Sequence, residues 1–394
     1  MFTIIIFIII LSILVLVHEG GHYFTARKTG MKVYEFGIGY PPRAIGFYRD
    51  PVTGKRVWVR GKGKSDLKKT VSGQEQEVDE EEEFPATLYS INWLPLGGFV
   101  RIKGENGEKS NQNDSFGSKS AGKRILVLSA GVIMNFIFAG IILGFGFMIG
   151  LPMDFSNGLD SRATVVEQPS VLVQAVEAGS PADDAGVKFG DKIILIDQID
   201  IATVTDVQNI VKEKGEIELN VLVDRAGEKI KLKITPESLD GSESDPRFGV
   251  ALAEAGIVRY PWYVAIYKGF VSATLATMQI FVAFYYLIKN LIIGNGLMFE
   301  VSGPVGIAKV VGDSFRMGIN YLINVTAMIS LSLAVLNILP IPALDGGRIL
   351  FVLIEKIIGR PVPMKYEQMA HTIGFLLLMV LIVIVTARDI IGLF

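Results

Sequence analysis

The sequence predicts a polytopic α-helical membrane protein of about four spans, with a polar α+β block inserted between the second and third. Three observations carry this. Half of the 394 residues are hydrophobic, mean hydropathy is +0.43, and the apolar residues cluster into long uncharged stretches. A polar block of strand-like runs and turn signals, about 160–255, interrupts those stretches. The first stretch ends in HEGGH, residues 18–22, which has metal-ligand spacing. The formal net charge of −2 argues against a nucleic-acid partner, and none is expected. The chain has 0 cysteines, so it has neither disulfides nor thiolate ligands, and a bound metal must be held by nitrogen and oxygen.

The first span is expected over 1–24. Met1 to Val17 carries no charge, no basic segment precedes the apolar run and no small-residue cleavage site follows it, so it reads as a retained span and not a signal peptide. At 3.6 residues per turn, His18 and His22 project from one face and can share a metal, with Glu19 beside them to take a proton from water. Ionisable groups within a span cost roughly 2.5–3.5 kcal/mol each, which makes a task for them the default reading. HExxH alone is a weak signal; two of the chain's 3 histidines falling here strengthens it.

Further spans are expected over 123–152, 317–345 and 369–390. Orientation follows the lysines and arginines. The segment 25–122 holds Arg27, Lys28, Lys32, Arg43, Arg56, Lys68 and Lys69, which places it in the cytoplasm. The block 160–240 then lies outside, and the loop 345–367, with Arg348, Lys356, Arg360 and Lys365, lies inside. A fifth stretch, Gly269 to Ile288 between Lys268 and Lys289, passes on hydropathy alone. Were it to cross, loop 345–367 would lie outside, so 258–295 is expected as a membrane-associated amphipathic or re-entrant helix on the outer side. A charged insertion at 60–84, ending in Asp79-Glu80-Glu81-Glu82-Glu83, reads as a solvated loop.

A catalytic zinc takes three protein ligands and keeps one position open. With no cysteine and only His371 remaining, a carboxylate is the expected third ligand. Asp345 is the candidate, at the end of VLNILPIPALDGG, residues 335–347. Pro340 and Pro342 break the helix there, and Gly346 and Gly347 are expected to let the chain turn tightly. An ordinary helix terminus with an Asp cap is the alternative. On the second span, Gly131 and Asn135 form a small-plus-polar face suited to packing on, and hydrogen bonding to, the HEGGH helix, a supporting role.

HEGGH and NILPIPALDGG together resemble the site-2 protease family of intramembrane zinc metalloproteases, in its bacterial regulator-of-sigma-E branch. FGIG (36–39), PLGGFVRIKGE (95–105), GVIMN (131–135) and SGPVGI (302–307) extend the resemblance over most of the chain. Arg348 departs from relatives that often have histidine there. The string AGSPADDAGVKFGDKIILID is similar to a PDZ domain, which takes extended peptides or C-termini by strand addition, so a peptide ligand at that groove is expected. The resemblance implies one Zn²⁺ per chain held by His18, His22 and Asp345, Glu19 as general base, and Asn337 close enough to stabilise the oxyanion. It also implies that residues 95–105 form a cytoplasmic-side, membrane-re-entrant β-loop holding unwound substrate, with contacts from Gly97, Gly98, Phe99, Val100, Arg101, Pro340 and Pro342; a plain cytoplasmic hairpin is the alternative. The outer PDZ-like domain would act as a size filter.

The resulting expectation is a zinc-dependent intramembrane endopeptidase in the cytoplasmic (inner) membrane, with its site towards the cytoplasm. Membrane lipid surrounds it, and its substrates are single-span proteins, either anti-sigma factors or remnant signal peptides. A membrane-anchored PDZ adaptor with a vestigial metal site and a membrane-anchored cytosolic zincin are the rivals. The second lacks a third ligand in the polar segments.

Overall fold

The computed structural model describes residues 2–61, 84–107, 112–155, 159–177, 179–225, 227–238, 246–294 and 302–391. Most of the insertion predicted at 60–84 lies outside the described residues. The chain divides into two compact units, Met1–Gly140 with Val271–Gly312 and Thr326–Phe394, and Ile141–Phe270 with Asp313–Val325.

In the first unit, α1 (Phe2–Lys28) carries HEGGH near its C-terminal end, where Arg27 and Lys28 complement the helix dipole. It is followed by β1 (Val33–Arg49), β2 (Arg56–Arg60) and β3 (Leu88–Ile102). β1 and β3 each fold back on themselves. Tyr89 pairs with Phe36 on one side and Phe47 on the other, while Gly98 to Arg101 pair with Ile38 to Glu35. Across the sheet the order is therefore 56–60, 43–49, 88–92, 33–38, 98–102, and 98–102 is an edge. That edge runs beside α1: Ser12 Oγ donates to the Pro95 carbonyl at 2.9 Å, and a Cβ built on Gly98 would lie 3.9 Å from Glu19 Cγ. The β-loop thus reaches Ser12, six residues and about 9 Å along α1 beyond His18. Its tip exposes Tyr40, Trp93 and Leu94.

The remaining helices are α2 (Ala121–Ile149), α3 (Pro181–Asp184), α4 (Val204–Lys214), α5 (Trp262–Ile293), α6 (Pro304–Met317), α7 (Ile319–Ile338), α8 (Asp345–Ile358) and α9 (Met364–Ile391). Among the described residues five are long and apolar enough to cross a membrane: α1, α2, α5, α7 and α9. The fifth, α5, covers the stretch Gly269 to Ile288 that passes on hydropathy and is expected not to cross. α5 is continuous over 32 residues, so it is not a re-entrant hairpin. α8 occupies most of the stretch expected as loop 345–367, and α6 begins within SGPVGI. α6 lies at the Thr3 end of α1, where a Cβ on Gly312 would overlap the Thr3 side chain, and its first turn is capped from α9. There Asp389 accepts from Gly303 N at 3.2 Å and Gly306 N at 2.7 Å.

The second unit is built on an antiparallel sheet in the order β4-β10-β5-β6-β8-β9, with β7 (Ile199–Asp200) on β6. The strands are β4 (Leu151–Asp154), β5 (Thr164–Val176), β6 (Lys192–Ile196), β8 (Leu219–Arg225), β9 (Glu228–Ile234) and β10 (Val250–Arg259). The sheet extends past the predicted limits of 160–240 at both ends, through β4 and β10. Val171, Val173, Ile196, Leu219 and Val221 pack under Val207 and Val211 of α4. Ser180 caps α3 with Pro181 in its first turn, and Thr203 and Asp206 form a capping box at α4. Asp191 of the G-D pair is fully buried, held by Arg225 at 2.6 and 2.7 Å. Among the described residues β4 pairs with 255–258 of β10 and leaves the edge at 250–253 open near the α4 N-terminus, where Val204 N donates to Glu254 Oε1 at 2.9 Å.

Candidate metal centre

The two histidines meet as the helical spacing requires, with Nε2 atoms 3.2 Å apart. Asp345 joins them from another part of the chain. α7 ends at Ile338, two residues before Pro340, and the chain turns through 339–344 to start α8 with Asp345 as its first residue. Its Oδ2 lies 3.0 Å from His18 Nε2 and 3.3 Å from His22 Nε2. A carboxylate in the first turn of a helix is also favoured by the helix dipole.

The tight turn is not made where expected. Neither Gly346 nor Gly347 has a positive φ; the left-handed residue is Ala343, at φ 81°. His371 of α9 holds it there, accepting from the Ala343 N–H at Nδ1, 2.8 Å. The two glycines serve close approach instead. A Cβ on Gly346 would overlap the carbonyls of Ile338 and Leu339, and one on Gly347 the carbonyl of Ile341, so larger residues would push α8 off the end of α7.

The far side of each ring is fixed by α2. His22 Nδ1 lies 2.8 Å from the Val127 carbonyl, which sets the tautomer that leaves Nε2 free as a ligand. His18 Nδ1 lies 3.4 Å from the amide of Asn135, whose side chain is fully buried and whose backbone carbonyl accepts from Ser330 Oγ at 2.9 Å. With Nδ2 towards His18, Oδ1 is a buried acceptor without a donor. The opposite amide orientation lets Oδ1 accept from His18 Nδ1–H, the tautomer that frees Nε2. Gly131 closes the remaining side: a Cβ there would lie 2.5 Å from His22 Nε2 and 2.6 Å from His18 Nε2.

This donor set fits zinc. Two nitrogens and one carboxylate oxygen, mutually 3.0–3.3 Å apart, span one face of a tetrahedron whose edge is about 3.3 Å for bonds of about 2.0 Å. Three lone-pair donors held this closely call for a shared cation. Among the described residues this is the one such group of three.

Glu19 is half-buried on α1 beside Gly98 of the sheet edge. Asn337 stands in the last turn of α7, and none of the hydrogen bonds among the described residues ties down its carboxamide. Phe99 stacks on Tyr40 at 6.3 Å, and Arg101 lies over Tyr34 at 5.9 Å, Val100 between them half-buried. Gly97 takes a positive φ at the end of the turn. Pro340 is exposed; Pro342 lines an apolar hollow of about 370 Å³ with Ile373, Gly374 and Leu377 of α9. Arg348 reaches none of the ligands and pairs with Glu105, joining α8 to the segment after the sheet edge. Sequence reasoning missed Val127, whose contribution is a backbone carbonyl, and Ser330 and His371, which act at one remove.

The model of Peptidase family M50 matches residues 6–53 and 80–381, which include every one of these positions. The chain belongs to peptidase family M50. A Clostridium acetobutylicum protein provisionally named a zinc metalloprotease is 31% identical over 394 residues, covering 99% of this chain and 98% of its own length. The regulator of sigma-W protease RasP of Bacillus subtilis is 31% identical over 443 residues, covering 100% and 99%. A solved PDZ domain from an SdrC-like protein of Listeria monocytogenes covers 21% of this chain and 86% of its own at 20% identity, with a TM-score of 0.20 that bears no weight for the fold. As an M50 peptidase the protein is a multi-pass membrane metalloendopeptidase with zinc as its cofactor, of the site-2 protease type.

Proposed function

We propose that this protease cuts within the membrane segment of single-span proteins, with His18, His22 and Asp345 as the zinc ligands and Glu19 as general base. The observation that carries this is the His–His–Asp triangle, its two histidines in a helix long enough to cross the membrane, with a strand edge beside Glu19 that is unpaired among the described residues. When bound, zinc supplies a Lewis acid for the scissile carbonyl and lowers the pKa of water to about 7. Glu19 takes the proton of the attacking water and returns it to the leaving amine. Asn337, untied, donates its amide N–H to the developing oxyanion. A substrate helix hides each carbonyl in an i→i−4 hydrogen bond and must unwind first; the free edge at 98–102 offers backbone partners to the unwound segment.

The name of the Bacillus subtilis relative favours membrane proteins that control sigma factors as substrates. For topology we infer four crossings, α1, α2, α7 and α9, with the site towards the cytoplasm and α5 along the outer face. Gly312 of α6 lies at Thr3 of α1, and Gly303, before its first turn, lies at Asp389 near the C-terminal end of α9. Were α5 to cross inward, the ten steps from Ile293 to Gly303, at most about 36 Å, would have to recross unpaired. The second unit reads as a PDZ-like domain whose peptide groove lies between the 250–253 edge and α4. The test is mass-spectrometric mapping of the cut in a single-span substrate whose ectodomain has been removed. A cut inside the apolar segment supports the reading; a cut in the flanking polar sequence, or none with zinc bound, favours the cytosol-facing or the adaptor alternative.

A further inference from the structure

The outer sheet edge opposite α1 carries an unexplained charge arrangement. Arg49 and Arg56 stand directly opposite each other on β1 and β2, both exposed and on one face, where like charges repel. Among the described residues neither forms an ion pair; Arg49 Nε donates to the Gly54 carbonyl at 3.1 Å and Arg56 lies over the Phe47 ring at 5.6 Å. Asp50, next to Arg49 in the chain, spends its oxygens on Val52 N at 2.8 Å and Thr53 Oγ1 at 2.9 Å. Beside the pair on the same face stands Trp58, 61% exposed.

The height of this face along α1 can be read from the aromatic row that crosses the sheet. Tyr23 of α1 meets Phe36 at 5.1 Å with the rings tilted and hydrogen-bonds to Tyr89; Tyr89 stacks on Phe47 at 5.3 Å, and Phe47 meets Trp58 at 5.2 Å, again tilted. Trp58 therefore lies level with Tyr23, four residues or about 6 Å before Arg27. The arginine pair is two residues further from the β-loop tip, about 7 Å, which brings it level with Arg27 and Lys28 at the basic end of the span. This is headgroup depth, where Trp and basic residues anchor proteins.

We propose that Arg49 and Arg56, with Trp58 as interfacial anchor, bind the phosphate of an anionic phospholipid headgroup. Guanidinium forks match phosphate geometry, and the anion relieves the repulsion across the strands. The site lies beyond the catalytic reading and does not depend on it.

The test is native mass spectrometry of the full chain in detergent, titrated with short-chain phosphatidylglycerol or phosphatidylcholine. Affinity for phosphatidylglycerol is expected to fall roughly tenfold per arginine in Arg49→Gln and Arg56→Gln, with phosphatidylcholine unaffected. Equal affinity in wild type and the double variant overturns the proposal, as does displacement of the lipid by inorganic phosphate at equal concentration. A second measurement leaves both arginines in place. With Trp93 and Trp262 replaced by Phe, Trp58 fluorescence should be quenched most by lipids brominated near the glycerol backbone; strongest quenching from bromines near the bilayer centre, or none, contradicts it.

Discussion

Gly131 stands so close to His22 that a Cβ at position 131 would lie 2.5 Å from the Nε2 that faces the metal position. The α2 backbone is therefore one wall of the proposed metal centre, and a single methyl group would fill the space beside the two Nε2 atoms. Gly131→Ala is expected to lower zinc affinity roughly 100-fold or more while the chain still folds. Gly20→Ala, inside HEGGH itself, should be tolerated, because a Cβ there meets only Phe24 Cε2 at 4.0 Å. Metal content of the two purified variants decides; a zinc-replete Gly131→Ala protein would refute the geometry.

Asn135 differs from the other polar residues of α2 in facing a ligand ring. If its carboxamide accepts from His18 Nδ1–H, Asn135→Leu should weaken zinc about 10–100-fold, because His18 loses both its orientation and its partner. Competition with a chelator of known affinity reads this directly. An unchanged affinity would reduce Asn135 to interhelical packing through Ser330.

α8 is seated on the end of α7 by two glycines. Gly346→Ala should cost about 1–3 kcal/mol of stability and displace Asp345, so melting temperature and zinc content fall together. A variant with normal melting and full metal content would show that the helices separate without strain.

How far the chain could be read from its residues follows from these contacts. HEGGH and Asp345 were legible because helix geometry fixes i,i+4 spacing and a Pro-Gly-punctuated run announces a helix end. The reason for Gly346 was not, since close approach to a carbonyl leaves no mark that separates it from a turn. The double pairing of Tyr89 with Phe36 and Phe47 was hidden because β1 and β3 fold back within themselves, at the Gly39–Pro42 and Pro95–Gly97 stretches, and periodicity reads each only as one strand. α8 is a short helix whose charges, such as Lys356, made it resemble a connection. β4 precedes the polar block and β10 runs past its end, and their pairing joins residues distant in sequence.

Outside the membrane-spanning segments, Asp114 gives a pH prediction. The ammonium of buried Lys103, 2.8 Å away, holds its carboxyl below the ordinary value. A depressed folded-state pKa stabilises above the unfolded value of about 3.9 and is lost as pH falls through the folded one. Hydrogen-exchange protection around Lys103–Phe116, taken against the intrinsic rate at each pH, should therefore hold steady down to about pH 4 and fall below it; Phe116 N donates to the Lys103 carbonyl there. Asp114→Asn should show the lower protection already at neutral pH. No acid-induced change would show that the pair contributes nothing.

The most direct measurement compares wild type with Glu19→Gln on a tagged single-span substrate lacking its ectodomain, with zinc quantified in both. The account predicts about one zinc in each and cleavage only by wild type, because Glu19 moves the proton and does not hold the metal. Equal cleavage by both proteins would contradict the role of Glu19, and loss of zinc from Glu19→Gln would show it belongs to the metal's own ligand set.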